Sequence, residues 1–298
     1  MAVAVYSHPS CALHDAGPGH PESPDRLRAV LAALAELPAA ELITAAPADP
    51  DVILTVHTPA HLQALTEAHV AGGGQLDPDT VMNAHSWDAM LGALGAVLAA
   101  VERSHSGVRH AFAAVRPPGH HASADRAMGF CLVNNAVIAA RRFQSLGRRR
   151  VLIVDWDVHH GNGTQALVEP DAEVRFVSLH QSPWWPFTGA ASERGVGNIF
   201  NVPRPPGLEP EQYVQDLWLA IELATRDWMP DAIIVSAGFD GMAGDPLGGF
   251  TLEPKHYRIL TERLRERLPG TPILGTLEGG YVPRRLAEGT AAFVLALA

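Results

Sequence analysis

The stretch Val151-Leu-Ile-Val-Asp-Trp-Asp-Val-His-His-Gly-Asn-Gly163 carries the strongest indication of the fold. Its first four residues are apolar without alternation, which is typical of a strand buried on both faces of a parallel sheet. Two aspartates and two histidines follow within six residues, where the strand ends. Ligands of open α/β sheets bind outside the carboxyl ends of the strands. The stretch therefore predicts a parallel sheet with a chemically active rim.

Similar apolar runs recur along the chain and alternate with helical patterns. The predicted strands are residues 2–6, 111–115, 151–154, 175–178, 232–236 and 272–276. The predicted helices are residues 23–37, 87–102, 134–146, 211–227 and 254–268. Ser23 is placed to cap the first helix, with Pro24 in its first turn. This alternation predicts an α/β fold with helices on both faces of the sheet. No repeat or break in composition interrupts it, so we expect one domain over residues 1–298.

Titratable residues follow most of the predicted strands. They are His120 and His121, the cluster from Asp155 to Asn162, His180, Asp240, and Glu278 with Tyr281. Because the carboxyl ends of parallel strands lie at one edge of a sheet, we expect these side chains to converge there.

Asp157 and His159 are spaced as metal ligands. On an extended chain, residues two apart point the same way, and Asp155 shares that phase. A catalytic zinc takes three protein ligands from His and Asp or Glu and keeps a fourth position open for water. Asp240, from another strand end, completes such a set. The alternative, a polar loop that caps a helix, rarely carries two aspartates and two histidines in six residues.

The adjacent pair His120–His121 follows a rigid Pro-Pro-Gly turn and predicts proton transfer, because histidine titrates near neutral pH. Asp155 and Asn162 are the candidates to orient the two rings.

Aromatic residues accompany the polar cluster. Tyr281 follows Glu-Gly-Gly, and a phenol at the rim can donate a hydrogen bond to a developing oxyanion. Phe130 and the stretch Trp184-Trp-Pro-Phe187 are candidate walls of a narrow apolar channel, with core packing an equal alternative for Phe187.

The composition narrows the class of protein. With 22 Lys and Arg against 32 Asp and Glu, the formal net charge is −10, which disfavours nucleic-acid binding. Two cysteines, Cys11 and Cys131, form no disulfide framework and fit a reducing compartment. The first residues show no signal-peptide pattern, and the longest apolar run, residues 89–101, is too short to span a bilayer. We therefore expect a cytoplasmic protein without membrane contact.

The motifs together resemble the histone deacetylase superfamily, in the branch of bacterial amidohydrolases, acetylpolyamine amidohydrolases and class II deacetylases. The matching stretches are Gly19-His-Pro-Glu-Ser-Pro-Asp-Arg-Leu, Arg116-Pro-Pro-Gly-His-His-Ala, Gly129-Phe-Cys-Leu-Val-Asn-Asn-Ala, Asp155-Trp-Asp-Val-His-His-Gly-Asn-Gly-Thr-Gln, Ser178-Leu-His, Gly238-Phe-Asp, Asp245-Pro-Leu-Gly and Glu278-Gly-Gly-Tyr. They follow the family order along nearly the whole chain.

This resemblance implies an arginase/deacetylase-like three-layer fold around a mostly parallel eight-stranded sheet. It also implies that Asp157, His159 and Asp240 bind Zn²⁺, and that K⁺ binds to Ser178 and to the main-chain oxygens of Asp155, Asp157, His159 and Leu179. His120 and His121 would be the acid–base residues, with Asp155 and Asn162 as their partners, and Tyr281 would polarise the substrate carbonyl. Gly129, Phe130 and Trp185 would wall the acyl-lysine channel.

Two departures from the family pattern concern the substrate. The usual Phe-Phe-Pro-Gly or Leu-Tyr-Pro-Gly stretch is here Trp184-Trp-Pro-Phe-Thr-Gly189, which affects the size of the acyl pocket. Leu247 occupies the gate position, where an acidic residue would attract a second amine, so it disfavours a polyamine.

These observations predict a zinc-dependent amidohydrolase that acts on acylated lysine in a peptide or protein. The sequence leaves open an acetylpolyamine or other small-amide hydrolase, an arginase-like ureohydrolase with two manganese ions, a non-catalytic acyl-amine-binding protein, and a homo-oligomer.

Overall fold

Strands and helices alternate along the chain, as the sequence predicts. The structure is a computed structural model that describes residues 2–107 and 110–298. The strands are β1 (Val3–Ser7), β2 (Ala40–Thr44), β3 (Gly74–Asp77), β4 (Thr80–Met82), β5 (Ala111–Ala113), β6 (Val151–Asp155), β7 (Val174–Gln181), β8 (Ile199–Arg204), β9 (Ala232–Ala237) and β10 (Ile273–Leu277). The helices are α1 (Pro24–Ala35), α2 (Pro59–Val70), α3 (Ser86–His105), α4 (Asn135–Ser145), α5 (Asn162–Val168), α6 (Pro210–Thr225), α7 (Pro254–Arg267) and α8 (Pro283–Leu297), with 3₁₀ turns at Pro9–Ala12 and Pro50–Thr55.

Eight of the strands form one sheet in the order β2-β1-β5-β10-β9-β6-β7-β8. Every pairing in it is parallel, and β3 pairs with β4 in a separate antiparallel hairpin. The central strands β6, β9 and β10 are buried at every residue, which explains their unbroken apolar runs. Strands β9 and β10, late in the sequence, lie between β5 and β6. This arrangement brings the carboxyl ends of four strands side by side.

Helices cover the sheet in two layers. Helix α8 packs on α1 and α7, and α7 on α6, whereas α3 packs on α2 and α4, and α4 on α5. The longest apolar run of the sequence lies in α3, which is buried as predicted. No helix in residues 2–107 and 110–298 is long and apolar enough to cross a bilayer.

The sequence reading missed several elements. Strands β2 and β8 are the two edges of the sheet, and their residues are only partly buried, so they lack the apolar run of a central strand. Pro203 lies within β8, where an edge position tolerates a proline. Helices α2, α5 and α8 were also not predicted. Ser23 is at the N-cap of α1 as expected, but its side chain makes no capping hydrogen bond.

A buried ion cluster joins three segments close to the sheet rim. Glu22 Oε1 accepts hydrogen bonds from Arg26 Nη1 at 2.7 Å and Arg116 Nε at 2.5 Å. Arg26 in turn donates to the carbonyl oxygens of Gly280 at 2.6 Å and Glu278 at 2.5 Å. Burial opposes the charge of Glu22, but the two arginines and His14 hold its pKa well below the usual value. The cluster therefore fixes the segment before α1, the end of β5 and the loop after β10 relative to one another.

We expect Glu22→Ala to destabilise the protein by about 3–5 kcal/mol, because it leaves Arg26 and Arg116 buried without a counter-charge. Denaturant unfolding measures the change. The matched control is Asp25→Ala. Asp25 directly precedes Arg26, and its exposed carboxylate pairs with Arg28. We expect this substitution to lower the free energy of unfolding by no more than about 1 kcal/mol. Equal losses in the two variants would contradict the role given to the buried cluster.

Candidate metal centre and active site

Four neighbouring strands end at the candidate site. Asp155 is the last residue of β6, with Asp157 and His159 just beyond it, and Asp240 follows β9. The loop after β5 carries the histidine pair, and the loop after β10 carries Tyr281. Since β6 pairs with β9, and β10 lies between β9 and β5, these side chains meet at one rim, as the sequence predicts.

Asp157, His159 and Asp240 form a compact buried triad. One potential ligand atom from each residue lies within 4.8 Å of the other two. His159 Nδ1 is 3.0 Å from Asp157 Oδ1 and 3.1 Å from Asp240 Oδ2. A Cβ at Gly279 would lie 2.2 Å from Asp240 Oδ2 and 2.6 Å from Asp157 Oδ2, so the two carboxylates need glycine at this position. The set of one imidazole and two carboxylates is one that zinc accepts at catalytic sites.

The electrostatics of the triad favour a bound cation. Burial, with the charge of Asp157 added, raises the pKa of Asp240 to about 7. Burial lowers the pKa of His159, but its hydrogen bonds to Asp157 and Asp240 outweigh burial and raise that pKa to about 9. Two adjacent buried carboxylates thus hold a proton tightly. A divalent cation would satisfy the same charge, and so the residues present fit a metal ion.

The histidine pair has two different partners. His120 Nδ1 is 3.0 Å from Asp155 Oδ2, and His121 Nδ1 is 2.8 Å from Asn162 Oδ1. The ring centroids are 3.9 Å apart. Asp155 and Asn162 therefore stand where the sequence expects the orienting groups.

The surroundings separate the pKa values of the two histidines. Burial lowers the pKa of His120, but the carboxylates of Asp157 and Asp155 outweigh burial and raise it well above the usual value. Burial and the charges of His120 and His159 lower the pKa of His121 well below it. The two rings therefore differ in proton affinity, and that of His120 is the higher.

Glu278, which the sequence predicts to lie at the same rim, supports the histidine loop. Its Oε2 accepts hydrogen bonds from the backbone N–H of Gly119 at 2.7 Å and of His120 at 3.2 Å. Burial raises the pKa of Glu278 to about 7. The carboxyl group thereby connects the loop after β10 to the loop after β5.

A cavity of about 220 Å³ leads from the surface to His121 and His159. Its lining comprises Asp79, His121, Gly129, Phe130, His159, Trp184, Trp185, Leu247 and Tyr281. Apart from the polar groups at its base and Asp79, the walls are apolar, as expected for Phe130, Trp185 and Leu247. A Cβ at Gly129 would lie 2.5 Å from both the His121 ring and the Trp185 ring, so only glycine fits between them.

Asp79 is a cavity residue that sequence reasoning missed. It lies in the turn between β3 and β4, and its Oδ1 accepts a hydrogen bond from Gly129 N at 3.1 Å. The hairpin is short and largely polar, so neither periodicity nor a strand end pointed to it.

Tyr281 lies at the cavity wall with its backbone fixed. Its N–H donates to Asp245 Oδ2 at 2.7 Å, and Asp245 Oδ1 accepts from Leu247 N at 2.9 Å. The ring meets Phe130 edge to face at 5.8 Å. Burial raises the pKa of Tyr281 well above its usual value, although the nearby Arg26 guanidinium acts against this. The hydroxyl therefore stays protonated and can donate.

The aromatic stretch at residues 184–187 divides into two parts. Trp184 and Trp185 line the cavity, and Trp184 Nε1 donates to Leu247 O at 2.9 Å. Phe187 belongs neither to the cavity lining nor to the core, because its side chain is 79% exposed. Both interpretations offered for Phe187, channel wall and core packing, are wrong.

Two of the residues expected to bind potassium lie on neighbouring strands. Ser178 faces Asp155 in the register of β7 with β6, and both are buried. Leu179 is the next residue of β7, and the Ser178 hydroxyl lies 2.9 Å from His180 Nδ1.

Comparison with known proteins places this chain in a family. The model of the Histone deacetylase domain matches residues 20–297. The chain is 40% identical over 296 residues to uncharacterized protein slr0245 of Synechocystis sp., a match that covers 97% of this chain and 96% of that protein. It is 37% identical over 306 residues to a probable deacetylase of Methanothermobacter thermautotrophicus, a match that covers 99% of this chain and 90% of that protein.

A solved structure agrees with the sequence matches. The crystal structure of the HDA15 HD domain superposes with a TM-score of 0.93 at 37% identity, covering 99% of this chain and 88% of that one. The predicted arginase/deacetylase-like α/β fold is thereby confirmed. The chain belongs to the histone deacetylase family.

Proposed function

We propose that this protein is a zinc-dependent deacetylase that hydrolyses the acyl amide of modified lysine side chains. Membership of the histone deacetylase family supports a deacetylase. The observation that carries the proposal is the meeting of three groups at the base of one narrow cavity. These groups are the triad, a histidine pair with separated pKa values, and the protonated Tyr281.

Asp157, His159 and Asp240 would hold the zinc ion. When bound, zinc supplies a Lewis acid that polarises the acyl carbonyl and lowers the pKa of water to about 7. A potassium ion on Ser178 and the main-chain oxygens of Asp155, Asp157, His159 and Leu179 is part of the same proposal. The buried position of Asp155 opposite Ser178 supports it.

The histidines divide the proton transfers between them. His121 lines the cavity, so it is placed to accept the proton of the attacking water, alone or together with His120. Asn162 fixes its ring without adding charge. Attack on the acyl carbon creates a tetrahedral oxyanion, to which the Tyr281 hydroxyl donates a hydrogen bond. The histidine that accepted this proton then delivers a proton to the amine nitrogen, because an unprotonated amine is a poor leaving group.

His120 lies close to two carboxylates. It sits between Asp155 and Asp157, with Nε2 3.8 Å from Asp157 Oδ2. These carboxylates favour the protonated form of His120, and a positive charge there would disfavour protonation of His121. We infer that His121, alone or together with His120, carries the moving proton.

The cavity walls support a neutral aliphatic acyl-amine as substrate. Phe130, Trp185 and Leu247 would pack against the methylene chain of an acylated lysine. Leu247 provides no counter-ion for a second amine. Acetylpolyamine hydrolysis is nevertheless a second candidate, because the carboxylate of Asp79 also lines the cavity.

We expect chelation to abolish hydrolysis of an acetyl-lysine peptide and zinc to restore it, with one zinc ion bound per chain. Acetate release and elemental analysis measure the two quantities. Magnesium, which prefers six oxygen ligands, is the control and should not restore activity. Activity that survives complete metal removal would contradict the proposal. Faster turnover of acetylated spermidine than of the peptide would favour the second candidate.

The remaining alternatives are distinguished by the same measurements. A dinuclear ureohydrolase would bind two metal ions per chain, and a single triad is found within residues 2–107 and 110–298. A non-catalytic binding protein would bind acyl-amines tightly with no turnover. One domain, a cytoplasmic location and independence of nucleic acid and membranes stay predictions from the sequence.

A further inference from the structure

An exposed phenylalanine stands beside the mouth of the cavity in an unusual backbone conformation. Phe187 has φ 62°, in the left-handed region where glycine is at ease and a bulky side chain costs free energy. Its side chain is 79% exposed, so packing within the chain does not offset that cost. Strained residues of this kind cluster at functional sites. Phe130, with φ 68°, is the other non-glycine residue with positive φ in the described chain, and it lines the cavity.

The turn that carries Phe187 is held firmly on both sides. Phe187 N donates to Trp184 O at 2.8 Å, and Trp184 Nε1 donates to Leu247 O at 2.9 Å. On the other side, the Thr188 hydroxyl lies 2.8 Å from His160 Nδ1, and Gly189 O accepts from His180 Nε2 at 3.0 Å. The aromatic ring is thus presented to solvent from a fixed backbone. Such preorganisation reduces the entropy lost on binding.

Trp184 and Phe187 together form what we call the aromatic ledge. Trp184 lines the cavity but is still 41% exposed. In a four-residue turn the first and last Cα atoms lie within about 7 Å, so Phe187 is next to the mouth. The ledge is continuous with the cavity that holds the candidate catalytic groups, and both of its side chains are apolar.

We propose that the aromatic ledge binds an apolar side chain next to the acyl-lysine in polypeptide substrates. The inference rests on the proposed function and narrows its substrate class. A small acyl-amine fits within the cavity and does not reach Phe187, which is not part of the lining. A polypeptide places its flanking residues outside the mouth, against Trp184 and Phe187. Aromatic anchors of this kind dominate binding at protein interfaces.

The test compares three substrates that share the reacting group. They are a blocked peptide with acetyl-lysine between two leucines, the same peptide with two glycines, and N-acetyl-1,5-diaminopentane. Acetate release gives kcat/KM for the wild type, Phe187→Gly and Phe187→Asn. Asparagine also tolerates positive φ and controls for the flexibility that glycine adds. Leu223→Ala, which removes another exposed apolar side chain, on α6, is the matched control.

We expect both Phe187 variants to reduce kcat/KM for the leucine-flanked peptide at least about fivefold more than for the diamine. The loss should lie in KM, and the melting temperature should stay equal or rise, because backbone strain is relieved. Leu223→Ala should leave the ratio of kcat/KM for the leucine-flanked peptide to kcat/KM for the diamine unchanged. Equal losses on all three substrates, or a lowered melting temperature, would overturn the inference and make Phe187 structural.

Two further outcomes are separable. Sedimentation at assay concentration reveals whether wild-type chains associate. If the wild type is a dimer and Phe187→Gly dissociates it, then a second copy of the chain, and not a peptide, occupies the aromatic ledge. Absence of turnover by the wild-type protein on all three substrates would reject the proposed function itself. If only the ledge proposal is wrong, the wild type still turns over the substrates, and the Phe187 variants show no preference among them.

Discussion

Asp240→Ala is expected to abolish zinc binding and to lower kcat/KM by at least about a thousandfold, since a metal Lewis acid contributes several kcal/mol. The substitution leaves Asp157 and His159 as the remaining members of the triad. It also removes the acceptor for the N–H of Val158, which donates to Asp240 Oδ1 at 2.8 Å.

Elemental analysis of the purified variant measures the metal, and acetate release measures the activity. Asp240→Asn keeps the size of the side chain and an acceptor oxygen but loses the charge, so we expect weakened rather than absent zinc. Asp231→Ala removes a half-buried carboxylate paired with Arg150 and should retain full metal content. Full zinc occupancy in Asp240→Ala would disprove the ligand assignment.

Tyr281→Phe should lower kcat by about a hundredfold or more, the usual cost of losing one oxyanion donor. The substitution isolates the hydroxyl, because the backbone hydrogen bond to Asp245 and the ring contact with Phe130 do not depend on it. The raised pKa of Tyr281 means that the wild-type hydroxyl is protonated throughout the neutral range. KM should change little, since the hydrogen bond strengthens mainly in the transition state.

Initial rates over a range of peptide concentrations separate kcat from KM for this variant. Zinc content and the unfolding midpoint serve as controls and should match the wild type. An unchanged kcat would remove Tyr281 from the mechanism. A fall in rate with a parallel loss of zinc would mean that the substitution acts on the metal site instead.

Sequence reasoning located the residues of the site that follow buried strands. Asp157, His159 and Asp240 come after apolar runs that only a central strand explains, and topology then brings them together. The two edge strands were missed for the converse reason, because a half-exposed strand has no unbroken apolar run.

The contacts of the supporting residues were beyond the reach of local patterns. Glu278 acts through backbone groups 158 and 159 residues away in sequence, and Glu22 acts on Arg116 from 94 residues away. Asp79 reaches the cavity from a short polar hairpin. The backbone strain at Phe187 is a property of three-dimensional structure, and the one-dimensional pattern suggested only another apolar residue.

The late arrival of β9 and β10 in the centre of the sheet has a consequence for biosynthesis. When synthesis has reached the end of α6, the strands on both sides of β9 and β10 have been made, namely β2, β1 and β5 on one side and β6, β7 and β8 on the other. The inner edges of β5 and β6 then lack neighbours, and unpaired apolar edges promote aggregation. A nascent chain at that stage also lacks Asp240, so the triad is incomplete until β9 has been made. The central pairings of the sheet and the candidate metal centre are therefore completed by the same late segment of the chain.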